Sequence, residues 1–289
     1  MTIKFMNLRQ TRKKIKSVTN VKKITKAMEM ISAIKMKKAQ NEALEGRPYD
    51  EELKNIISKV MPKISSKYSA LLNEKQESEV KRRLAIVIAS NKGLCGGFNI
   101  NLFRFITQAV DFKETEFVIV GKKASYLGRL GANIIADFSS NSPVSNISAI
   151  FNFALEKYLK ENYFEIVLFY NKFISILKVE PVKVKILPVK VELKKEDEIK
   201  IITQEYLIEP SPEKIIDQLL RSYVQEAIKN SIIESEASEH SSRMIAMKNA
   251  TDNATDVIYN LTMLRNKIRQ ENITNELLDM VSAKASVES

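Results

Sequence analysis

The residues that could do chemistry are few in this chain and far apart. Its 289 residues include one cysteine, Cys95, and one histidine, His240. A single Cys excludes an internal disulfide and a Cys-rich metal site, and a single His removes most metal and catalytic-triad chemistry. Cys95 has no nearby His to activate it, so we interpret it as structural. His240 lies among Ser and Glu residues, where we expect a solvated or interface position on a helix.

A glycine-rich loop, Gly93-Leu94-Cys95-Gly96-Gly97, is the other candidate for chemistry. It follows a predicted strand and precedes a predicted helix, a setting in which loops can bind phosphate. It has neither the GxGxxG pattern nor a Lys-Ser/Thr ending. We therefore expect a turn and not a nucleotide site, and the sequence predicts no catalytic residue, no cofactor and no metal ligand.

Positive charge is concentrated in the first segment of the chain. The 46 basic and 35 acidic residues give a net charge of +11, and residues 1–40 contain 12 basic residues against one acidic residue, Glu29. That segment therefore accounts for the whole excess. A Lys-rich helix is usually a solvated face, but this one could also meet an anionic partner.

The first segment has the periodicity of a helix from about residue 7 to residue 59. Gly46 and Pro48 predict a kink or a stop near residue 47. Further apolar residues lie outside the predicted seam, including Met30 and Ile34, so this helix needs a second partner surface or packs against a central domain. The predicted helix seam consists of Leu8, Ile15, Val18, Val21, Ile24, Met28 and Ile31.

The centre of the chain, residues 78–205, has short apolar runs typical of buried parallel strands. Helical patterns alternate with these runs, which predicts an α/β layer fold. We expect Asn171-Lys172 to turn the chain into an antiparallel ribbon that includes Ile174 and Ile176, and residues 194–200 to form a solvated turn. The predicted strands are 84–89, 117–120, 133–135, 166–169 and 182–186, and the predicted helices are 99–111, 122–130 and 146–161.

The last segment, residues 211–285, is predicted to be one helix. Ser211-Pro212-Glu213 is a typical helix start, and no Gly or Pro follows it. At ~1.5 Å per residue such a helix is on the order of 110 Å long and needs a partner along its length. The sequence thus predicts three parts, 1–65, 78–205 and 211–285, in which the terminal helices form a long antiparallel coiled coil around an inserted Rossmann-like α/β domain.

Three motifs resemble the gamma subunit of F-type ATP synthases. The first runs from Lys22 to Ser32 (KKITKAMEMIS) and continues with Lys35-Met36, and the second is the loop Gly93–Asn99. The third includes Ser238-Glu239-His240 and Arg243-Met244, continues through residues 246–254, and extends to Leu277. Together they cover both ends and the middle of the chain in the family's order.

This resemblance implies a rotor shaft without a catalytic site of its own. In that family the coiled coil stands inside three alpha and three beta subunits, and the α/β domain meets the epsilon subunit and the c-ring. Torque then passes between the c-ring, driven by protons or sodium ions, and the catalytic beta subunits. The implied location is peripheral, at the cytoplasmic face of a bacterial membrane, and we expect no membrane span because no run of 18 apolar residues occurs.

The resemblance also implies contact residues. The Arg269-Gln270 pair would hydrogen-bond a catalytic subunit, and the lysines would face acidic levers on the beta subunits. The implied ring contacts are Lys22, Lys23, Lys26, Met28, Met30, Ile34, Lys35, Arg269 and Gln270. The implied loop on the side of the c-ring and epsilon subunit consists of Gly93, Leu94, Cys95, Gly96 and Gly97.

Two other classes of protein remain as alternatives from the residues alone. A nucleic-acid-binding coiled coil would use the basic helix, but residues 7–40 contain no aromatic side chain for stacking. An enzyme of the doubly wound class would use the central domain, but the sequence has neither a cofactor fingerprint nor a convergent set of titratable residues.

Overall fold

Two long helices form the ends of the chain. In the computed structural model, which describes residues 7–61, 68–72, 82–140, 143–161, 163–189, 208–209 and 211–288, α1 spans Leu8–Val60 and the last helix, α5, spans Pro212–Glu288. The predicted start of α5 is confirmed. A stop near residue 47 is wrong, because α1 continues through Pro48. Leu53, Ile57 and Val60 are buried in the core beyond it, and this packing stabilises the last turns of the helix.

A five-stranded sheet lies between the two helices in sequence. Its strand order is β3-β2-β1-β4-β5, with β1 to β4 parallel and β5 antiparallel to β4. The predicted βαβ alternation and the antiparallel ribbon are therefore confirmed. The elements are β1 (Arg83–Ile88), α2 (Phe98–Ala109), β2 (Thr115–Val120), α3 (Tyr126–Arg129), β3 (Asn133–Asp137), α4 (Ile147–Lys160), β4 (Glu165–Phe173) and β5 (Val179–Leu187).

The predicted turn at Asn171-Lys172 is wrong by several residues. Strand β4 continues to Phe173, and Asn171 is paired with Pro181 of β5. Its buried side-chain amide donates to the backbone oxygen of Phe98 at 3.2 Å, which explains why this Asn lies within a strand. Ile174 and Ile176 then belong to the connection between the strands, and both are exposed. The predicted turn at 194–200 lies outside the described residues.

Both faces of the sheet are covered, as its continuous apolar strands require. One face packs against α4 and against parts of α1 and α5, where Leu53, Ile57, Ile216 and Leu220 are buried with Ile86. The opposite face packs against α2 and α3, where Phe103 and Leu127 meet the buried strand side chains. The inserted domain is therefore a three-layer α/β fold.

The chain divides into two compact units, and the divisions lie within α1 and α5. Unit 1 consists of Met1–Ser32 and Met244–Ser289, and unit 2 consists of Ala33–Arg243. In unit 2, Gly46 of α1 lies beside Glu226 and Asn230 of α5, whereas Val60 shares a core with Ile216. The two helices are thus antiparallel there, as predicted for the terminal helices. Among the described residues, no helix combines the length and hydropathy needed to cross a membrane.

Candidate functional site

The seam of α1 in unit 1 is largely polar. Buried and half-buried side chains recur there in steps of three and four, at Leu8, Thr11, Ile15, Val18, Lys22, Thr25, Glu29 and Ser32. Thr25 and Thr251 of α5 join their hydroxyl oxygens at 2.8 Å across the seam. Thr25 and Ser32 can also donate to carbonyl oxygens three and four residues earlier on α1, so these hydroxyls are buried with hydrogen-bond partners.

Large apolar side chains of the same helix point away from this seam. The prediction that Leu8, Ile15 and Val18 face it is confirmed, but Val21, Ile24 and Ile31 were wrongly assigned to it because all three are exposed. Each precedes a seam position by one residue, which turns its side chain by about 100° around the helix. The fully buried side chains of α1 in unit 1 therefore carry hydroxyl groups, while several large apolar side chains of the same helix are exposed, unlike the seam of an ordinary coiled coil.

The predicted contact residues of α1 differ in accessibility. Lys22 and Met28 are half-buried, whereas Lys23, Lys26 and Met30 are exposed. Lys26 forms a 2.9 Å ion pair with Glu29, and its side chain is still 56% exposed. In unit 2, the predicted contacts Ile34 and Lys35 are also exposed. Lys22, Lys23 and Lys26 thus form a cationic strip on α1 in unit 1, with apolar side chains beside it.

Arg269 and Gln270 also belong to unit 1, but they lie further along α5 towards its C-terminal end. Both are exposed, and so is every side chain that the structure describes from Arg269 to Lys284. The 18 positions from Thr251 to Arg269 correspond to roughly 27 Å along α5. The structure therefore does not bring the lysines and the Arg269-Gln270 pair into one site. The large apolar residues of this exposed end are Ile273, Leu277, Leu278, Met280 and Val281.

The Gly93–Gly97 loop follows β1 at the carboxyl edge of the sheet. Cys95 is buried, its Sγ lies 3.4 Å from the donor Nδ2 of Asn99, and burial raises the pKa of its thiol. Both observations agree with the structural role that we expected for Cys95. Leu94 is 64% exposed and has a φ of 63°, in the left-handed region that a Leu rarely adopts. The loop thus buries its thiol and presents one apolar side chain.

Arg243 of α5, a residue of the third sequence motif, forms hydrogen bonds with this loop that the motif did not predict. Its guanidinium donates to the backbone oxygens of Lys92 and Gly93, at 3.0 and 3.3 Å. It also forms a 2.6 Å ion pair with Glu239, one turn earlier on the same helix. The Glu-Arg spacing of four residues was the available signal for that pair. Nothing in the sequence pointed to the two carbonyl groups.

Asn91 links the ends of the parallel strands. Its Nδ2 donates to the backbone oxygen of Ser140 at 2.6 Å, and its Oδ1 accepts from the backbone N–H of Lys122 at 3.1 Å. Gly121, just before Lys122, has a φ of 100°, and a Cβ there would lie 2.0 Å from the backbone oxygen of Ala89. Asn91 and Gly121 thus fix the backbone at the edge of the sheet from which the Gly93–Gly97 loop extends.

Several titratable side chains of α5 lie between Glu236 and Arg243, where unit 2 ends on this helix. Burial raises the pKa of Glu236 to about 7, and the neighbouring Glu239 and Glu42 add to this shift, while Lys35 and Lys38 oppose it. Burial lowers the pKa of His240 to about 4, with Arg243 and Lys35 acting in the same direction. A neutral His240 can accept at Nδ1, which lies 3.2 Å from an Arg243 Nη1. His240 is half-buried on α5, which confirms the predicted helix position, and an interface there stays a prediction.

No arrangement suited to a metal ion is found in the part of the chain that the structure describes. No three His, Cys, Asp or Glu side chains there come together as ligands. Exposed lysines such as Lys23 and Lys26, the exposed apolar side chains of α1 and the exposed Leu94 are features of surfaces that contact other proteins.

The sequence matches the family model described as ATP synthase over residues 7–287. A relative named ATP synthase gamma chain from Pelotomaculum thermopropionicum is 38% identical over 288 residues, which are 98% of this chain and 99% of that protein. A protein of the same name from Verminephrobacter eiseniae is 37% identical and covers 96% of this chain and 97% of its own length.

Two solved structures with a similar fold contain the rotor or the central stalk of a mitochondrial ATP synthase. The chain resembles one in the rotor of the Euglena gracilis mitochondrial ATP synthase, with a TM-score of 0.63, 17% identity, and coverage of 92% of this chain and 98% of that chain. A chain in the central stalk and c-ring structure from Tetrahymena thermophila has a TM-score of 0.56, 26% identity, and coverage of 78% and 99%.

Proposed function

Because this chain belongs to the ATP synthase gamma chain family, we propose that it is the rotor stalk that carries torque between an ion-driven c-ring and three catalytic beta subunits. The observation that supports this most is the 38% identity to a gamma chain over nearly the full length of both proteins. The paired terminal helices suit a shaft. The chain contributes no catalytic group of its own in this proposal.

One copy of the chain would stand within three alpha and three beta subunits, with the epsilon subunit and the c-ring as its other partners. Ile24, Met30 and Ile31 of α1 are exposed, and large apolar side chains are stabilised when a partner covers them. This supports the proposal that the surrounding subunits are the second partner surface of the helix. Met suits a contact that must repack as the shaft turns, since its side chain is flexible. Lys22, Lys23, Lys26 and Lys35 would meet acidic side chains of the ring.

Two further contacts belong to this proposal. Arg269 and Gln270 are exposed and free to hydrogen-bond a catalytic subunit. Leu94 of the Gly93–Gly97 loop is exposed, and its side chain would contact the epsilon subunit or the c-ring. The complex would be peripheral, at the cytoplasmic face of a bacterial membrane.

Assembly tests the proposed function directly. The chain is mixed with its alpha and beta subunits, and native mass spectrometry should show one complex with one copy of it per three of each partner. That complex should hydrolyse ATP cooperatively, and the chain alone should not hydrolyse ATP. A mixture without this complex, or ATP hydrolysis by the isolated chain, would contradict the proposal.

The Arg269 contact has its own test in the assembled enzyme. Arg269→Ala should weaken coupling or assembly, because the guanidinium no longer bonds the catalytic subunit. Circular dichroism should show unchanged helicity of the isolated chain, since the residue is exposed on α5. Equal rates of hydrolysis and synthesis in variant and parent complexes would remove Arg269 from the contacts.

A further inference from the structure

The geometry around Arg243 points to an anchor between α5 and the inserted domain. We infer that Arg243, supported by Glu239 and Ser241, is a positioning residue that prevents the part of α5 near Arg243 from twisting against the sheet when the shaft is under load. This inference rests on the proposed rotor function. Arg243 is the last residue of unit 2 on α5, and from Met244 onward the helix belongs to unit 1.

The first part of the anchor joins α5 to the carboxyl end of β1. Two guanidinium nitrogens of Arg243, Nε and Nη2, donate to the carbonyl oxygens of Gly93 and Lys92, and Nη2 also reaches Glu239. The residue is 7% exposed. A buried guanidinium has five N–H donors in a rigid plane, whereas a Lys ammonium is a single compact charge. Only Arg can therefore bridge two carbonyls and a carboxylate in this geometry.

The second part holds α5 from another direction. The hydroxyl of Ser241, which is fully buried, donates to the backbone oxygen of Ile176 at 2.6 Å, in the connection between β4 and β5. Two residues along a helix correspond to about 200° of rotation, so Ser241 and Arg243 leave α5 on nearly opposite sides. Two loops of the sheet thus form hydrogen bonds with α5 from nearly opposite sides, and this arrangement resists rotation of the helix.

The partners of Arg243 are themselves held in place. Asn99 donates to the Cys95 thiol and accepts from the backbone N–H of Ser90, which ties the loop to β1. Glu239 is largely buried beside Arg243, and burial raises its pKa although the guanidinium opposes this. Arg243 favours its charged form, and so do Lys35 and Lys92. Removal of Arg243 would leave two carbonyls and a carboxylate without their cation, and the loop would lose its bond to α5.

Loss of the anchor should uncouple the motor rather than stop it. ATP hydrolysis needs the coil inside the catalytic ring, whereas ion transport also needs that coil to turn the inserted domain. If the part of α5 near Arg243 can twist against the two loops, hydrolysis continues and less transport accompanies each ATP. A residue that merely stabilises the fold would lower both rates together.

The test uses the complete ATP synthase containing this chain, reconstituted in sealed vesicles. ATP hydrolysis and ATP-driven ion transport are measured for the parent complex and for Arg243→Ala, Arg243→Lys and Lys160→Ala. Lys160 is a matched control because it forms an exposed ion pair with Glu156 on α4, away from the anchor. We expect Arg243→Ala to lower transport per ATP by about twofold or more. Arg243→Lys should recover only part of that loss, and the control should match the parent.

The outcomes separate this inference from the proposed function. A parent complex that hydrolyses ATP without transport contradicts the rotor role itself. A coupled parent together with an equally coupled Arg243→Ala complex overturns the anchor alone, as does full recovery by Lys. If the Arg243→Ala complex fails to assemble, the same two rates are measured for Ser241→Ala and Glu239→Gln. Each removes one bond or charge and should lower transport per ATP with hydrolysis retained, and full coupling in both would overturn the anchor.

Discussion

The two halves of α1 bury opposite kinds of side chain. In unit 2 the helix buries Met36, Leu53, Ile57 and Val60, and the last three lie in the core of the sheet domain. In unit 1 the buried positions of the same helix are Thr11, Thr25 and Ser32. Burial of apolar area stabilises the first region by about 25 cal/mol per Å², and buried hydroxyls contribute much less.

This difference teaches which part of the helix is built for folding and which for contact. The unit 2 half is stabilised by the chain's own core. The unit 1 half keeps its apolar groups, such as Ile24, on the outside. We therefore expect substitutions in unit 2 to act on the stability of the chain and those in unit 1 to act mainly on assembly.

The largest expected effect is in the apolar seam of unit 2. Ile57 is fully buried, so Ile57→Ala should lower the free energy of unfolding by about 2–5 kcal/mol through lost burial and a cavity. Chemical denaturation of the full chain measures this. The matched control, Ile24→Ala, changes an exposed side chain of the same helix and should cost less than about 0.5 kcal/mol. Equal losses for the two variants would break the comparison.

The second effect is a pH dependence confined to unit 2. Glu236 has a pKa raised from 4.5 to about 7, so the folded chain retains a proton that the unfolded chain loses between these values. Its contribution to stability therefore falls as pH rises through that window. Glu236→Gln should stabilise the chain by about 1–2 kcal/mol at pH 8, after allowance for solvent screening.

At pH 4.5 the same variant should differ little from the parent, because both carry a neutral group at that position. Lys35, Lys38, Glu42 and Glu239 remain in both chains, and so does His240, whose lowered pKa acts in the opposite direction. The measurement is thus the difference between the two denaturation curves at each pH. A difference that does not change with pH would contradict the raised pKa.

The third effect concerns the polar seam of unit 1. Thr25→Val removes the hydrogen bond to Thr251 across the seam, while Thr251 keeps its bond to the backbone oxygen of Met247, and the loss should cost about 1 kcal/mol. The double variant Thr25→Val with Thr251→Val should recover most of this loss, because both hydroxyls are replaced by groups of similar shape. Thermal unfolding followed by circular dichroism measures both. A double variant less stable than the single one would show that the hydroxyl pair is needed.

The smallest effect on the free chain, and a large one on assembly, is expected for the cationic strip. Replacement of Lys22, Lys23 and Lys26 by Gln should change unfolding by less than about 0.5 kcal/mol, since surface charges contribute little to stability. It should weaken assembly or coupling with the catalytic ring, most visibly at low salt. The central domain should stay folded by circular dichroism. Unchanged affinity for the ring would exclude a direct contact of this strip.

Much of the fold was predictable because hydrophobic period reports burial directly. The runs at 84–89 and 117–120 predicted β1 and β2 correctly, since strands buried on both faces are continuously apolar. The seam of unit 1 was predicted one residue out of place at Val21, Ile24 and Ile31. An apolar stripe on a helix has the same period whether it faces a helix of the same chain or another protein, so period alone cannot tell the two apart.

Residues of the candidate site could be predicted only where a motif of side chains identifies them. Sequence motifs led to the lysines of α1, to the Arg269-Gln270 pair and to the Gly93–Gly97 loop, whose contacts with other subunits stay predictions. The role of Arg243 was missed because two of its acceptors are backbone oxygens, which every residue has. The raised pKa of Glu236 depends on burial and on Glu42, 194 positions earlier in the sequence.

The sequence by itself determined the long terminal helices, the parallel sheet between them, the segment that carries the excess charge and the resemblance to gamma subunits. These features depend on composition and on patterns between near neighbours. The tertiary structure decided which face of α1 meets α5, where β4 ends, and how Arg243 and Ser241 hold α5 against two loops of the sheet. Those features depend on groups far apart in sequence, which only the folded chain brings within hydrogen-bonding distance.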